Sequence, residues 1–358
     1  MSGSNLLKLV VNDVESIGDY QHPDEINDST EIDDPEPVII IRESIFAVKG
    51  DISIVGGLPK AGKTSCSAFM LATALMKDIP ENFDSLEIHT RYCEGEMVIY
   101  VDTEQPRSYT NKLRKQVLKL IGSDIHPKNL KILNLRKHDS ETKMAKVLEL
   151  MDRYPSTHLW IIDGVADLIK DPNDTKEAFG VIEKFMIKSD QLNTAVVLYI
   201  HENPGTSGKL RGNLGSEAER KCGAAIAIKK IKDKGIHSIE AKLIRGGPDF
   251  DPIFFRYDKS IGRMVSLNSD ESNEIKKQTD KVTIKQNERI ELAKRCLLTG
   301  QLSFKNLVEA IMINIQHIEG QTVSLRTAQS RVKDMKDSEI IVQNGEFYAI
   351  GDKYIPQP

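Results

Sequence analysis

Gly57-Leu58-Pro59-Lys60-Ala61-Gly62-Lys63-Thr64 places two glycines, a lysine and a hydroxyl in the spacing G-x-x-x-x-G-K-[ST]. That spacing suits phosphate chemistry. Glycines let the backbone curl until several N–H groups face one anion, and a helix opening behind them adds the positive end of its dipole. Lys63 is then placed to reach the β- and γ-phosphates of ATP, and Thr64 to offer an oxygen to Mg²⁺. The expected contact set is Gly57, Leu58, Pro59, Lys60, Ala61, Gly62, Lys63, Thr64 and Ser65. Two carboxylates complete the chemistry. Asp163 ends the apolar run Leu159-Trp160-Ile161-Ile162, a position from which it can hold the Mg²⁺ shell together with Thr64. Glu104 follows Val98–Val101 in the order Asp102-Thr103-Glu104 and is the candidate base for orienting an attacking water, with Asp102 as its rival.

These residues need strand tips and helix starts to hold them. Apolar, β-branched runs occur at Ile52–Val55, Met97–Val101, Leu130–Leu133, Leu159–Ile162, Ala195–Ile200, Ala224–Ile228 and Ile253–Phe255. Helical patterns separate several of them, and the one after the glycine-rich segment runs to about Met76. The alternation predicts an α/β fold with a mostly parallel sheet over residues 37–267. Residues 268–285 are polar, without apolar period, and read as a linker.

Beyond Gln286 the pattern changes. Ile290, Ala293 and Leu297 share a helical face. Ser303 caps a second helix carrying Leu307, Ile311 and Ile315, and Ser324 a third carrying Leu325, Ala328, Val332 and Met335. Ile340–Val342 and Phe347–Ile350 flank Asn344-Gly345, a strong hairpin signal when both turn residues take positive φ. Three helices followed by a hairpin is the order of a winged helix-turn-helix, here residues 286–358. Arg326, Gln329, Ser330 and Lys333 lie opposite the apolar face of its third helix and suit duplex DNA in a major groove, with protein docking as the alternative.

The chain of 358 residues has a net charge of −4. The first 36 residues hold ten Asp/Glu and one Lys, a charge of −9, so the rest carries +5. A mildly basic body is compatible with nucleic-acid binding. Within the acidic stretch, Leu7, Val10, Val14 and Ile17 fall on one helical face. No apolar run approaches the roughly 20 residues of a membrane span, and no secretory signal opens the sequence. Cys66, Cys93, Cys222 and Cys296 have no paired spacing, as expected of reduced thiols in a cytoplasmic protein.

Over residues 37–265 the chain resembles RecA-like hexameric helicases, most nearly plasmid RepA-type ATPases and the DnaB class. The resemblance implies that Glu104 is the catalytic glutamate and His201, after Ala195–Ile200, the polar sensor. DnaB-like proteins usually have Gln there and RepA-like ones often His. Lys209–Ser216 resembles the central-channel loop that grips single-stranded DNA, giving Arg211, Gly212, Asn213, Gly215 and Ser216 as DNA contacts. Ala241–Pro248 resembles the segment with the lysine and arginine fingers, which implies that Lys242 and Arg245 reach the ATP of an adjacent subunit. One extra residue separates these two. A counterpart to the N-terminal collar of replicative helicases is missing, which points to the RepA-like, mobile-element branch. The implied function is a DNA-dependent, helicase-like ATPase motor for replication or mobilisation of DNA, acting as a homo-oligomeric, hexameric ring. A regulatory ATPase whose nucleotide state controls assembly and partner docking is the alternative, and a small-molecule kinase fits less well.

Overall fold

The computed structural model describes residues 25–27, 30–203, 208–231, 234–320 and 322–354. The chain divides into two units, Met1–Pro35 and Glu36–Pro358. The helical face expected from Leu7, Val10, Val14 and Ile17 lies outside the described residues.

The second unit opens with β1 (Pro37–Ile41) and β2 (Ser44–Val48), an antiparallel pair. Next come β3 (Ile52–Gly57), α1 (Lys63–Leu75) and β4 (Ile88–Thr90), which pairs with β1. The alternation continues through β5 (Met97–Asp102), α2 (Arg107–Leu120), β6 (Leu130–Asn134), α3 (Ser140–Arg153), β7 (Thr157–Asp163), α4 (Thr175–Gln191), β8 (Ala195–His201) and α5 (Gly212–Lys221). Four strands close this region: β9 (Ala224–Ile231), β10 (Ile236–Ile244), β11 (Ile253–Asp258) and β12 (Arg263–Ser266).

Nine of these strands form one sheet in the order β12-β11-β10-β9-β3-β8-β7-β5-β6. The six strands from β9 to β6 are parallel, and β10, β11 and β12 extend the β9 edge in antiparallel fashion. The chain is therefore α/β with a large, mostly parallel sheet, compatible with the RecA-like expectation. Side chains alternate across each strand, so a strand buried on both faces needs apolar residues at every position. Leu159 and Ile161 of β7 enter one core with Phe69 and Met70 of α1 and Val117 of α2. Trp160 and Ile162 enter the other, with Val147 of α3, Phe185 of α4 and Leu214 of α5.

All seven apolar runs read as strands are strands. The sequence reading did not find β10. Its strand IHSIEAKLI has several polar positions and only half of its length is deeply buried, so it lacks the continuous apolar signature.

The stretch expected as an irregular linker is helical. Residues 269–296 form one 28-residue helix, α6 (Ser269–Cys296), opened by a capping box between Asn268 and Glu271. Its first half is solvent-facing, which is why no apolar period marks it. Ile275 is the deeply buried residue there, packed with Ile236, Phe254 and Leu267. The same helix then supplies Leu292, Ala293 and Cys296 to a separate small core. That core is completed by β13 (Leu302–Ser303), α7 (Phe304–Glu319), α8 (Leu325–Asp337), β14 (Ile341–Asn344) and β15 (Phe347–Ile350). The three strands form a sheet in the order β13-β15-β14. Ser303 and Ser324 cap α7 and α8 as expected. Leu325 departs from the expectation: at the first position of α8 it is exposed, while Ala328, Val332 and Met335 are buried. The turn is also shifted by one residue. Asn344 pairs with Phe347, so Gly345 and Glu346 form the turn, and of these only Gly345 has positive φ.

Candidate nucleotide site

Parallel strands end on the same edge of a sheet, and crevices outside those ends are where α/β folds bind ligands. Here β3, β5, β7 and β8 end at Gly57, Asp102, Asp163 and His201. Gly57 pairs with His201, and Asp163 pairs with both Tyr199 and Asp102. The sheet thus brings together four of the positions that the sequence singled out.

The loop after β3 depends on its glycines. Gly57 has φ 148°, and a Cβ there would lie 2.4 Å from the Ile228 carbonyl oxygen. Gly62, at φ 104°, is the N-cap of α1. Lys60 between them also has positive φ, 63°. Ala61 N–H donates to Leu58 O at 3.2 Å and Ser65 N–H to Gly62 O at 3.0 Å, which closes the turn into the helix. The first N–H groups of an α-helix have no partner within it and can turn to an anion.

Lys63 is buried, and its ammonium donates to the carbonyls of Gly57 (2.7 Å) and Leu58 (3.0 Å) and to His201 Nδ1 (3.1 Å). Burial lowers its pKa below the usual lysine range, against the attraction of Asp163, Glu104 and Glu202. Because Nδ1 of His201 accepts from Lys63, Nε2 carries the ring proton, and it lies 3.0 Å from Glu104 Oε2. Lys63, His201 and Glu104 therefore form one hydrogen-bonded chain across the tips of the sheet. The bond from His201 holds the Glu104 carboxyl below the usual glutamate range against the opposing effect of burial, and the charges of Lys63 and Arg211 add to the lowering.

Asp163 is 6% exposed and accepts from Tyr100 Oη at 2.6 Å. Burial pushes its pKa up to about 6. The Gln105 amide lies 3.4 Å from Thr64 Oγ1 and 3.5 Å from Asp163 Oδ2, so one donor group faces both expected Mg²⁺ ligands. A hydroxyl and a carboxylate converging beside a glycine-walled loop fit a Mg²⁺–nucleotide.

Asp102, the rival base, has both oxygens engaged. Oδ1 accepts from the N–H groups of Glu104 (3.1 Å) and Gln105 (2.8 Å), and Oδ2 from Thr110 Oγ1 (2.6 Å). It shapes the turn that presents Glu104, whose own side chain is 51% exposed. A second lock joins this turn to β7. Thr103 Oγ1 donates to the Asp163 and Gly164 carbonyls, and a Cβ on Gly164 would lie 2.4 Å from that hydroxyl.

The remaining candidates sit differently. Arg211 N–H donates to His201 O at 2.8 Å, which ties it to the end of β8. The expected DNA loop becomes α5 from Gly212 onward. Asn213 spends its amide on Asn173 O (2.5 Å) and Thr175 Oγ1 (3.1 Å). Gly215 is packed against Leu210, where a Cβ would meet Leu210 Cβ at 2.4 Å. Ser216 lies on the exposed side of α5, its Oγ 3.5 Å from the Gly212 carbonyl. As an extended loop, this segment ends at Arg211. Lys242 sits at a β-bulge between Ala241 and Leu243 and pairs with Glu219. Arg245 lies at the far end of β10, where its N–H donates to Gly223 O and its guanidinium to Arg220 O, both on the side of Asp51 at the start of β3. In the C-terminal domain Arg326, Gln329, Ser330 and Lys333 are all exposed on α8.

Sequence reasoning missed Gln105, Tyr100 and His237. Gln105 follows Glu104 directly and could have been considered with it. Tyr100 was counted as an apolar strand residue, although its hydroxyl holds Asp163. His237 lies on β10, which has no continuous apolar run. The chain matches none of the known protein-family models, and no curated protein sequence matches it.

Proposed function

We propose that this chain is a RecA-like ATPase that binds ATP–Mg²⁺ at the Gly57–Ser65 loop and uses it to drive movement on, or assembly along, DNA. The observation that carries this reading is the hydrogen-bonded chain from Lys63 through His201 to Glu104. It links the phosphate-binding lysine, the sensor position and the candidate base, which follow or end three separate strands, β3, β8 and β5. Thr64 and Asp163 are the residues to hold Mg²⁺, which supplies charge neutralisation at the phosphates when bound. Glu104, half exposed and held ionised by its histidine, is suited to accept a proton from a water near the γ-phosphate. Arg211, joined to the sensor strand, is the best-placed residue of its segment to meet a DNA phosphate. The helix–strand–helix–helix–hairpin order of residues 286–351 supports a winged helix, with Arg326, Gln329 and Lys333 as its duplex-facing stripe.

A second reading has its own support. Asn213 is exposed but has its amide engaged by Asn173 and Thr175, and Gly215 is buried against Leu210, which leaves less of the expected DNA loop available. A regulatory ATPase whose nucleotide state governs assembly is consistent with that. The two are separated by measuring ATP hydrolysis with and without single-stranded DNA on samples of known oligomeric mass. The motor reading expects DNA stimulation. It also expects Lys63→Ala to abolish hydrolysis, and Glu104→Gln to retain ATP binding while losing about 10²–10⁴-fold in rate. Hydrolysis indifferent to DNA favours the regulatory reading. Parental rates in Glu104→Gln would remove Glu104 from the base role.

A further inference from the structure

His237 is 8% exposed, and its Nδ1–H donates to the Ala61 carbonyl at 2.6 Å. Phe255 of β11 lies opposite it in the sheet register and stacks on the ring, with centroids 5.4 Å apart and planes inclined by 23°. The ring also lies close to the second glycine of the phosphate loop. A Cβ on Gly62 would come within 3.1 Å of Nδ1 and 3.6 Å of Cε1 and Cγ. The imidazole is therefore held between a strand phenylalanine and the loop, and its Nδ1 donor is spent on the residue between Lys60 and Gly62.

The consequence follows from peptide geometry. The Ala61 C=O and the Gly62 N–H belong to one planar trans peptide and point in opposite directions. Anchoring the oxygen on β10 aims the Gly62 N–H away from β10 and resists rotation of that peptide. Gly62 itself, at φ 104° and without a side chain, offers little resistance to such rotation.

We infer that His237 is a positioning residue for the nucleotide, fixing the direction of the Gly62 N–H through the Ala61 carbonyl. The inference rests on the reading of this loop as an ATP site. Two substitutions separate the hydrogen bond from the packing. His237→Phe keeps a ring against Phe255 and removes the donor. His237→Asn keeps a donor nitrogen in the place of Nδ1 and removes the ring. Two readouts apply to the full chain: amide hydrogen exchange over residues 58–64 without nucleotide, and ATP–Mg²⁺ affinity by calorimetry. His237→Phe is expected to speed exchange in the loop and to weaken ATP binding about 10-fold, the scale of one lost buried hydrogen bond. His237→Asn is expected to stay within about 3-fold of the parent on the same scale. Parental exchange and affinity in His237→Phe, or equal losses in both variants, would reduce His237 to packing and overturn the inference. Lys63→Ala is the control for the site. If the parent chain shows no ATP binding, or if Lys63→Ala binds as well as the parent, the nucleotide reading falls and takes this role with it. A loss confined to His237→Phe, with the parent and Lys63→Ala behaving as expected, supports both.

Discussion

Asp163 and Asp102 end adjacent strands and are both buried, yet their carboxylates have different tasks. Asp102 is saturated by three donors and works as a bracket for the Glu104 turn. Asp163 has one strong partner, Tyr100, and a pKa pushed up to about 6 by burial. An acid whose pKa is higher in the folded chain than in the unfolded one destabilises the fold as it ionises. The cost is absent below the unfolded value of 3.8, grows as pH rises to about 6, and is constant above that. Replacing Asp163 by Asn removes that charge and leaves an oxygen for Tyr100. Asp163→Asn is therefore expected to stabilise the protein at pH 7.5 by about 3 kcal/mol at most, taking 1.36 kcal/mol per pKa unit, and by almost nothing at pH 4. Denaturant unfolding at the two pH values measures this, and an equal gain at both would assign it to something other than ionisation. Such a cost is in keeping with a residue retained for its charge rather than for the fold. This distinction was not legible in the sequence, because both aspartates follow apolar runs and differ only in partners drawn from elsewhere: Thr110 for one and Tyr100 for the other.

At the scale of elements, α6 is where the sequence and the structure part most clearly. A polar stretch without periodicity has the composition of a linker, and composition alone cannot tell it from a helix exposed on nearly every side. The capping box at Asn268 and Glu271 was a local sign of the helix start, and Ile275 its tertiary anchor. Val282 is 64% exposed, so a substitution there tests backbone alone. In a continuous helix, Val282→Pro removes a hydrogen bond and clashes with the preceding turn, at a cost of about 3 kcal/mol to that helix. The expected outcome is lost helical circular dichroism and new protease cleavage near residue 282, with the sheet domain unfolding at its former temperature. A flexible linker would accept the proline with no change in either signal. The strands were far more legible. A strand buried on both faces is apolar along most of its length, as β3, β5, β7 and β8 are apart from Ser53, Thr157, His158 and their tip residues; hence the strand tips, and with them Lys63, Asp163, Glu104 and His201, could be read in advance. β10 could not, since its polar positions hide a strand whose histidine braces the loop. The shifted hairpin turn has a similar origin: Asn344 satisfies the local preference, but pairing with Phe347 places it in the strand.

For the whole molecule, the direction of β10 sets what its two ends can do. His237 touches the Gly57–Ser65 loop, while Arg245 follows the other end of a nine-residue strand that spans roughly 27 Å. An arginine so placed has no route to the site of its own chain, and a catalytic role for it requires a second copy. Arg245→Ala is accordingly expected to lack hydrolysis alone and to recover part of it when mixed with inactive Lys63→Ala chains, measured as ATPase rate against mixing ratio. Full activity of Arg245→Ala, or parental activity in a stable monomer, would refute a shared site. The long helix α6 has a different consequence, one of angular phase. A rigid helix joins the core to the small C-terminal fold, so each residue added to its exposed stretch turns that fold by about 100° and advances it by about 1.5 Å. Insertions of alanine between residues 281 and 284 should then affect any activity that needs both parts in a periodic way. Two residues would point α8 nearly backwards, whereas seven, close to two full turns, would restore its heading about 10 Å further out. A tether would show only a smooth dependence on length. Activity that rises again at seven would identify α6 as a shaft with a set bearing, whose register is part of the design of the molecule.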